Sequence, residues 1–418
     1  MNHVATTSPQ RFLKRVEQRT SHEHLSRDVS RLPAPPVRSA SGRLDAIIVP
    51  ASRPASFLQP AIDLAASLGV ILVMLCSKQT RVEHVAKRVA TTPGAKCLII
   101  PISWEWSHSA FPSRTTDHGF DEAKAGRASD LSLKRNLGLL LARLHGWNKI
   151  AFLDDDIRLS QTDHIARLAG QLDAHQVAGM VVYEHPDNSV VCHARRLAGL
   201  FQDVFVSGAV LGVHCNSLPL SFFPDIYNED WFFFAREAAT RRLPRVGKAR
   251  QAEYDPFATP DRASQEEFGD LLAEGLFALF GDAGPSMPLD EQLRGATATY
   301  WSRFIEARRE VLTETKTSLC HFLEGDVDNA SVSSALASLA AAESQLDRIK
   351  PDLCVSFLHE WRDDLDDWQE FSSGVNNMGS TREAMDFLEL KTWRLAEFGA
   401  PEMDDLRGSR RLTSPVGI

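Results

Sequence analysis

Three consecutive carboxylates, Asp154, Asp155 and Asp156, follow the apolar run KIAFL in the stretch KIAFLDDDIRLS, residues 149–160. Adjacent like charges repel, and burial raises the cost of charging each one, so the arrangement calls for a cation or a proton. Asp154 and Asp156, one residue apart, can point to one side of a strand end. There they would offer hard oxygen ligands to magnesium or manganese, which in turn neutralises a diphosphate. Asp155 would project the other way. A solvated acidic turn is the ordinary alternative; the hydrophobic strand ahead of the motif is what favours the metal.

Two further clusters carry charge where chemistry could use it. Lys134 and Arg135 fall in the first turn of the segment SLKRNLGLLLARLHG, where the helix dipole disfavours each cation by ~0.3–1 kcal/mol. Either they reach water, or they join backbone N–H groups around a phosphate or nucleotide. Glu229 and Asp230, in NEDWFFFAREAA, open a helix beneath an aromatic body. One of them can serve as a general base facing a cleft, or the segment is an N-cap followed by an acidic first turn. Gly208 and Gly212 would let backbone approach a ligand, or mark a bulge. His193, His214 and His321 have no diagnostic metal spacing, and none is named as a ligand. Trp104 and Trp106 can stack on a sugar or a base, or simply pack.

The elements that must position these groups read as alternating strands and helices. LDAIIVPA is a buried strand from Leu44, followed by a helix ending at Gly69. VILVMLC and KCLIIPI are the next strands, with a polar helical segment between them. A long polar loop from Ser103 to about Asp130, holding Trp104, Trp106, His108, His118 and Gly119, precedes the leucine-faced helix that stops at Gly146. KIAFLDDD follows. This order yields a parallel sheet whose ligands sit beyond the carboxyl ends of the strands. Pro50, Ser52 and Arg53 after the first strand, Ser77 and Lys78 after the second, and Asp154–Asp156 thus converge on one cleft.

VAGMVVY, FVSGAVLGV and NEDWFFFAREAA supply further strands and a helix. Beyond Tyr254 the chain turns helical around Leu271–Phe280, Ala298–Leu312, Val332–Ile349 and Leu353–Phe371. A last helix opens on the capping box Ser380-Thr-Arg-Glu383 and is expected to run to Gly399. Residues 1–43 read as a flexible lead-in and proline-bearing linker, 44–256 as the catalytic domain, 257–400 as the helical region and 401–418 as a disordered tail.

The bulk composition excludes several classes. A net charge of −9, from 46 Lys and Arg against 55 Asp and Glu in 418 residues, implies no polyanion-binding surface, so nucleic acid is not expected. Six cysteines scattered without a C-x-x-C pair fit reduced thiols in the cytoplasm. No apolar run reaches the roughly 18–20 residues of a membrane helix, and no secretory h-region opens the chain.

In order and spacing, IIVPASRP, KRNLGLLLARLHGWNKIAFLDDDIRL and SGAVLG…FFPDIYNEDWFFF resemble the motifs of GT-A-type glycosyltransferases, especially the family-2-like enzymes, over roughly Leu44 to Tyr254. The resemblance implies a GT-A-like, Rossmann-type mixed sheet flanked by helices. It also implies metal-dependent transfer of a sugar, hexosyl-like, from a nucleoside-diphosphate sugar to an acceptor hydroxyl, with Mn2+ or Mg2+ as cofactor. Pro50, Ser52, Arg53, Arg135 and Asn136 would contact the nucleotide. Asp154 would lie toward the ribose or metal and Asp156 on the metal, while Asp230, alone or with Glu229, would deprotonate or orient the acceptor. Lys134 or Arg135 would steady the departing diphosphate. Ser77 and Lys78 stand where many members carry a base-reading aspartate, which leaves the base open. The helical region, outside the resemblance, would supply an acceptor pocket or a homo-oligomer contact.

Two alternatives use the same residues. FLDDDIRLS approximates the D-x-D-x-x-L-S motif of haloacid-dehalogenase-like phosphohydrolases, with Asp154 as nucleophile. Against it, Ile157 occupies the usual glycine position and three strand-like segments precede the motif. A non-catalytic transferase-like protein would present the acidic helix PDLCVSFLHEWRDDLDDWQE to a partner; the intact carboxylate motifs argue against it.

Overall fold

The computed structural model describes residues 18–117, 119–159, 161–186, 188–216, 218–323 and 329–400. Residues 1–17 of the lead-in, the tail from 401, His118 and Ser160 lie outside the described residues.

Ten strands form one mixed sheet. In chain order they are β1 (Ser26–Asp28), β2 (Ala46–Ala51), β3 (Ile71–Cys76), β4 (Lys96–Pro101), β5 (Lys149–Leu153), β6 (Ile157–Arg158), β7 (Val177–Tyr183), β8 (Val206–His214), β9 (Leu243–Gln251) and β10 (Arg394–Glu397). Their spatial order is β1-β9-β7-β8-β5-β2-β3-β4-β10, with β6 pairing β9 off this path. The run β5-β2-β3-β4 is parallel, and antiparallel β8 joins it to β7. This is the Rossmann-type mixed sheet expected from the sequence. Every residue of β2 and β5 is buried, as a strand covered on both faces requires.

One face of the sheet packs against α1 (Gln59–Leu68), α2 (Val82–Thr91) and, after α3 (Arg114–Asp117) and α4 (Leu131–Leu144), α5 (Thr162–Gln171). The other face receives the α4 leucines. Beyond them come α6 (Val190–Leu197), α7 (Glu229–Phe233), α8 (Ala235–Ala239) and the long helices α9 (Pro260–Asp282), α11 (Ala298–Leu323), α12 (Asn329–Leu346) and α13 (Pro351–Gly374), with α10 (Leu289–Leu293) between α9 and α11. Phe152 and Val213 of the sheet, Phe277 of α9, Trp301 of α11 and Trp361 of α13 belong to one continuous apolar core. The helical region is therefore built onto the sheet. No described helix is long and apolar enough to cross a membrane.

Two expectations change at the sheet edges. The core does not begin at Leu44: Leu25 is buried and β1 pairs in parallel with β9, Ser26 opposite Leu243. The three residues Ser26-Arg27-Asp28 have no apolar alternation to reveal a strand, and Arg245 of β9 recruits Glu23 and Asp28. At the other edge the last helix does not reach Gly399. Ser380 caps α14 (Thr381–Phe387) by accepting a hydrogen bond from the Glu383 N–H, as expected, but Glu389 turns left-handed. The chain returns as β10, antiparallel to β4 with Ala396 opposite Cys97, and buries Trp393 and Ala396.

Candidate functional site

The three aspartates are reconciled by arginines and backbone N–H groups. Asp155 turns to the loop after β2, away from the Arg135 that holds Asp154. Its buried carboxylate accepts from the N–H of Ser52 (2.7 Å) and of Arg53 (2.9 Å) and pairs with the Arg53 guanidinium. It thereby ties the end of β5 to the loop after β2. Asp156, also buried, meets the second Arg53 nitrogen at 2.8 Å and the Gln251 amide at 3.1 Å. Asp154, with 20% of its side chain exposed, is held by Arg135 Nη2 at 2.9 Å. Asp154 and Asp156 thus face different guanidiniums. Burial works against the Arg53 charge, but Asp156, Asp155 and Asp154 outweigh it and hold the guanidinium's pKa above its usual value.

Lys134 and Arg135 are both buried and take partners from within the chain. Lys134 Nζ donates to the Ala51 carbonyl (2.9 Å) and to Ser77 Oγ (2.6 Å) and pairs with Asp130 (3.0 Å), stapling the ends of β2 and β3 to α4. Burial pushes its pKa down, and Asp130 only partly restores it. Arg135 spans Asp154 and Glu229, with Nη1 2.6 Å from Glu229 Oε1, and lies over the Phe223 ring at 5.5 Å. Burial would lower its pKa, but Asp154, Glu229 and Asp230 reverse the sign and raise it. These internal partners cancel the unfavourable dipole position of both cations. Asn136 spends its amide on the backbone of Phe223, donating to the carbonyl and accepting from the N–H, both at 2.8 Å.

Glu229 and Asp230 lie at the start of α7 on the wall of the same cleft. Asp230 accepts from the N–H of Gly208 and, at 2.9 Å, from that of Trp231. Asn228 holds the N-cap position, yet its side chain does not cap the helix. The cleft has a volume of about 150 Å³, and its walls include Arg127, Arg135, Asp154, Asn188, Ser207, Asp230 and the aromatic Phe205, Tyr227 and Trp231. A larger hollow, about 440 Å³, lies over Asp121, Glu122, Ser264 and Arg348, away from these acid–base groups. We take the smaller cleft as the chemical site because the convergent charged groups are there.

Gly208 is required by this packing. A Cβ at that position would lie 2.6 Å from Arg135 Nη1 and 2.8 Å from Asp230 Cβ, so neither group can keep its place beside a larger residue. Gly208→Ala is expected to cost about 1–3 kcal/mol by overpacking and to lower any activity of the cleft. Urea unfolding alongside an activity assay checks both effects.

The remaining sequence candidates lie elsewhere. Pro50 is buried in β2. His193 bonds Tyr254 Oη at 2.8 Å and the Pro186 carbonyl, and burial pushes its pKa down to about 4. His214 pairs across the sheet with Lys149, at the amino end of β5 and so opposite the cleft, and His321 is on α11. Trp106 packs on Phe111 and donates to the Leu388 carbonyl, whereas Trp104 is exposed. Gly212 packs against Leu168. The sequence reading missed Gln251, Arg127, Asn188 and Ser207; only the adjacent Gly208 signalled Ser207, and nothing local marks the others.

No family model matches the sequence, and no curated protein matches it. Among solved structures the chain is similar to "Mannosyltransferase PcManGT from Pyrobaculum calidifontis in complex with GDP-Man and Mn2+", with 14% identity, a TM-score of 0.39, and 80% of this chain and 90% of that chain covered. At that score the likeness leaves the class to be defined by the fold and the cleft themselves. They define a Rossmann-type α/β protein of mixed sheet, with an acidic, arginine-braced cleft at the carboxyl ends of its parallel strands.

Proposed function

We propose that this chain is a GT-A-type glycosyltransferase that moves a sugar, hexosyl-like, from a nucleoside-diphosphate donor to an acceptor hydroxyl. The observation that carries the reading is the meeting of Asp154, Glu229 and Asp230 around one buried arginine, beside the Arg53–Asp155–Asp156 cluster, at the strand ends where such sheets bind ligands. The donor diphosphate lies against the Ser52–Arg53 loop, and the acceptor lies in the cleft lined by Ser207, Tyr227 and Trp231. Asp230 takes the acceptor proton as the sugar bond forms; Glu229, bound to Arg135, orients that wall. Lys134 acts at a distance, by fixing the ends of β2 and β3.

The donor set fits Mn2+ or Mg2+. Among the described residues no three His, Cys, Asp or Glu gather to hold an ion. A cation of this kind, however, is commonly bound by one or two carboxylates, with substrate phosphates completing its coordination. Asp154 and Asp156 would supply those carboxylates, Asp156 in place of its contact with Arg53. Asp154, Asp155, Asp156 and Glu229 face the guanidiniums of Arg53, Arg127 and Arg135, Arg127 is shared with Asp225, and Asp230 takes backbone N–H groups, so a dication would offset the excess of negative charge. When bound, it would neutralise charge on the departing diphosphate.

Calorimetry with nucleoside diphosphates and Mn2+ tests this reading. Binding is expected to need the metal and to weaken by at least ~100-fold in Asp156→Ala, since losing even an outer-shell partner costs 10–100-fold. Equal binding without metal, or no binding of any nucleoside diphosphate, would sink the proposal. Hydrolysis of a phosphate monoester dependent on Asp154 would replace it with the phosphohydrolase reading.

A further inference from the structure

The helical region grips the segment that carries Glu229 and Asp230 at three consecutive points. At Gly269 of α9 an added Cβ would collide with the Tyr227 carbonyl, so α9 lies backbone to backbone against the turn. One residue on, Asp270 Oδ1 accepts from the Asn228 side-chain amide at 3.0 Å. Two turns further, Phe277 packs on the Trp231 ring with centroids 4.3 Å apart, and His22, bonded to Glu274 of the same helix, meets that ring edge-on at 5.4 Å.

Asp270 is itself fixed. Its other oxygen accepts from Arg308 of α11 at 2.6 Å, and Arg308 forks onto Glu267 with two bonds of 2.9 Å. Asp270, Arg308 and Glu267 are each no more than 2% exposed. A buried ionic triad is weak evidence for stability, because well-packed apolar groups of similar volume often serve as well or better. What it does supply is a rigid acceptor at one point, and that point holds Asn228. Asn228 stands in a left-handed conformation, φ 62°, and the two site carboxylates follow it directly in the chain.

Resting on the transferase reading, we infer that Asp270 and Asn228 are positioning residues: the α9–α11 ion cluster sets where Glu229 and Asp230 point through the Asn228 amide. The helical region then completes the acceptor side of the site from behind, without touching the acceptor itself.

Three variants test this in the full chain. Asn228→Gly keeps the left-handed backbone at no steric cost and removes the tether. Asn228→Asp sets two carboxylates against each other. The swap Asn228→Asp with Asp270→Asn reverses donor and acceptor, keeps the total charge and leaves an oxygen for Arg308. Each single variant is expected to lower kcat by ~10–100-fold, the scale of an ångström-sized misplacement, with the donor KM within about threefold. The swap is expected to recover most of the loss.

A second readout does not depend on activity. With 5-fluorotryptophan incorporated, the Trp231 resonance, identified by Trp231→Phe, should shift in both single variants and return in the swap. Wild-type kcat and an unmoved resonance in the single variants would overturn the inference. So would losses that only track the unfolded fraction, or a swap that recovers nothing. A wild-type protein that binds no nucleotide overturns the transferase reading instead, while the resonance still decides the positioning role.

Discussion

Replacing Asp230 by Asn is expected to lower kcat by ~10²–10⁴-fold, the usual contribution of a positioned general base, while donor binding stays within a few-fold of wild type. The expectation follows from how the proposed reading divides the two carboxylates. Glu229 is committed to Arg135 at 2.6 Å and lies 4.0 Å from Arg127, so its charge is already spent on guanidinium neighbours. Asp230 is held by two backbone N–H groups, those of Gly208 and Trp231, and forms part of the cleft wall. Backbone donors fix the direction of that carboxylate, and a general base must be positioned in this way.

The substitution also carries a structural cost. Both Asp230 oxygens accept backbone N–H groups, so an amide nitrogen at either position meets a donor. One buried N–H left unpaired costs about 1–3 kcal/mol. The stability loss and the rate loss are separable: unfolding midpoints give the first, and kcat at saturating donor, with the folded fraction known, gives the second. Glu229→Gln is the internal comparison. It should weaken the Arg135 cluster and affect stability more than proton transfer. If Glu229→Gln lost more turnover than Asp230→Asn, the assignment of the base would move to Glu229.

The central sheet was legible because its strands are buried on both faces and read as continuous apolar runs. AIIVPA, ILVMLC and KIAFL are found where the sequence places them, with α4 between β4 and β5. The meeting of Ser52 and Arg53 with Asp155 followed from strand order alone. The edge strands β1, β6 and β10 are two to four residues long, and their identity comes from a partner rather than from their own pattern. β9, LPRVGKARQ, alternates too loosely to be seen, and it brings Gln251 onto Asp156.

The roles of the cations were hidden for a similar reason. Arg135 finds Asp154 19 residues away and Glu229 94 residues away. Periodicity places Lys134 and Arg135 on a helix start but says nothing of which carboxylates fold against it. Asn136 looked like a ligand contact and instead locks the Phe223 backbone, across 87 residues. Local sequence thus placed the charged groups on their elements, while their partners depended on contacts between distant segments.

The second large effect concerns stability. Arg135→Met is expected to destabilise the fold by about 3–5 kcal/mol, because removing one partner of a buried ion cluster leaves the others uncompensated. Arg135 is 2% exposed and joins Asp154 and Glu229 through separate nitrogens, so no single neighbouring cation takes over both contacts. Methionine approximates the aliphatic stem and keeps the contact with Phe223, which confines the loss mainly to charge and hydrogen bonding. The triple variant Arg135→Met, Asp154→Asn, Glu229→Gln should regain most of that stability, since neutral groups no longer strand a charge, yet remain inactive. Urea unfolding of the single and triple variants separates the two effects. Wild-type stability in the single variant would show that solvent or another cation replaces the guanidinium. A triple variant as unstable as the single would mean that the arginine serves packing rather than charge balance. The expected pattern, stability recovered and activity not, implies that the cluster is kept for what its carboxylates do in the cleft, with Arg135 as the group that lets three acids share one wall.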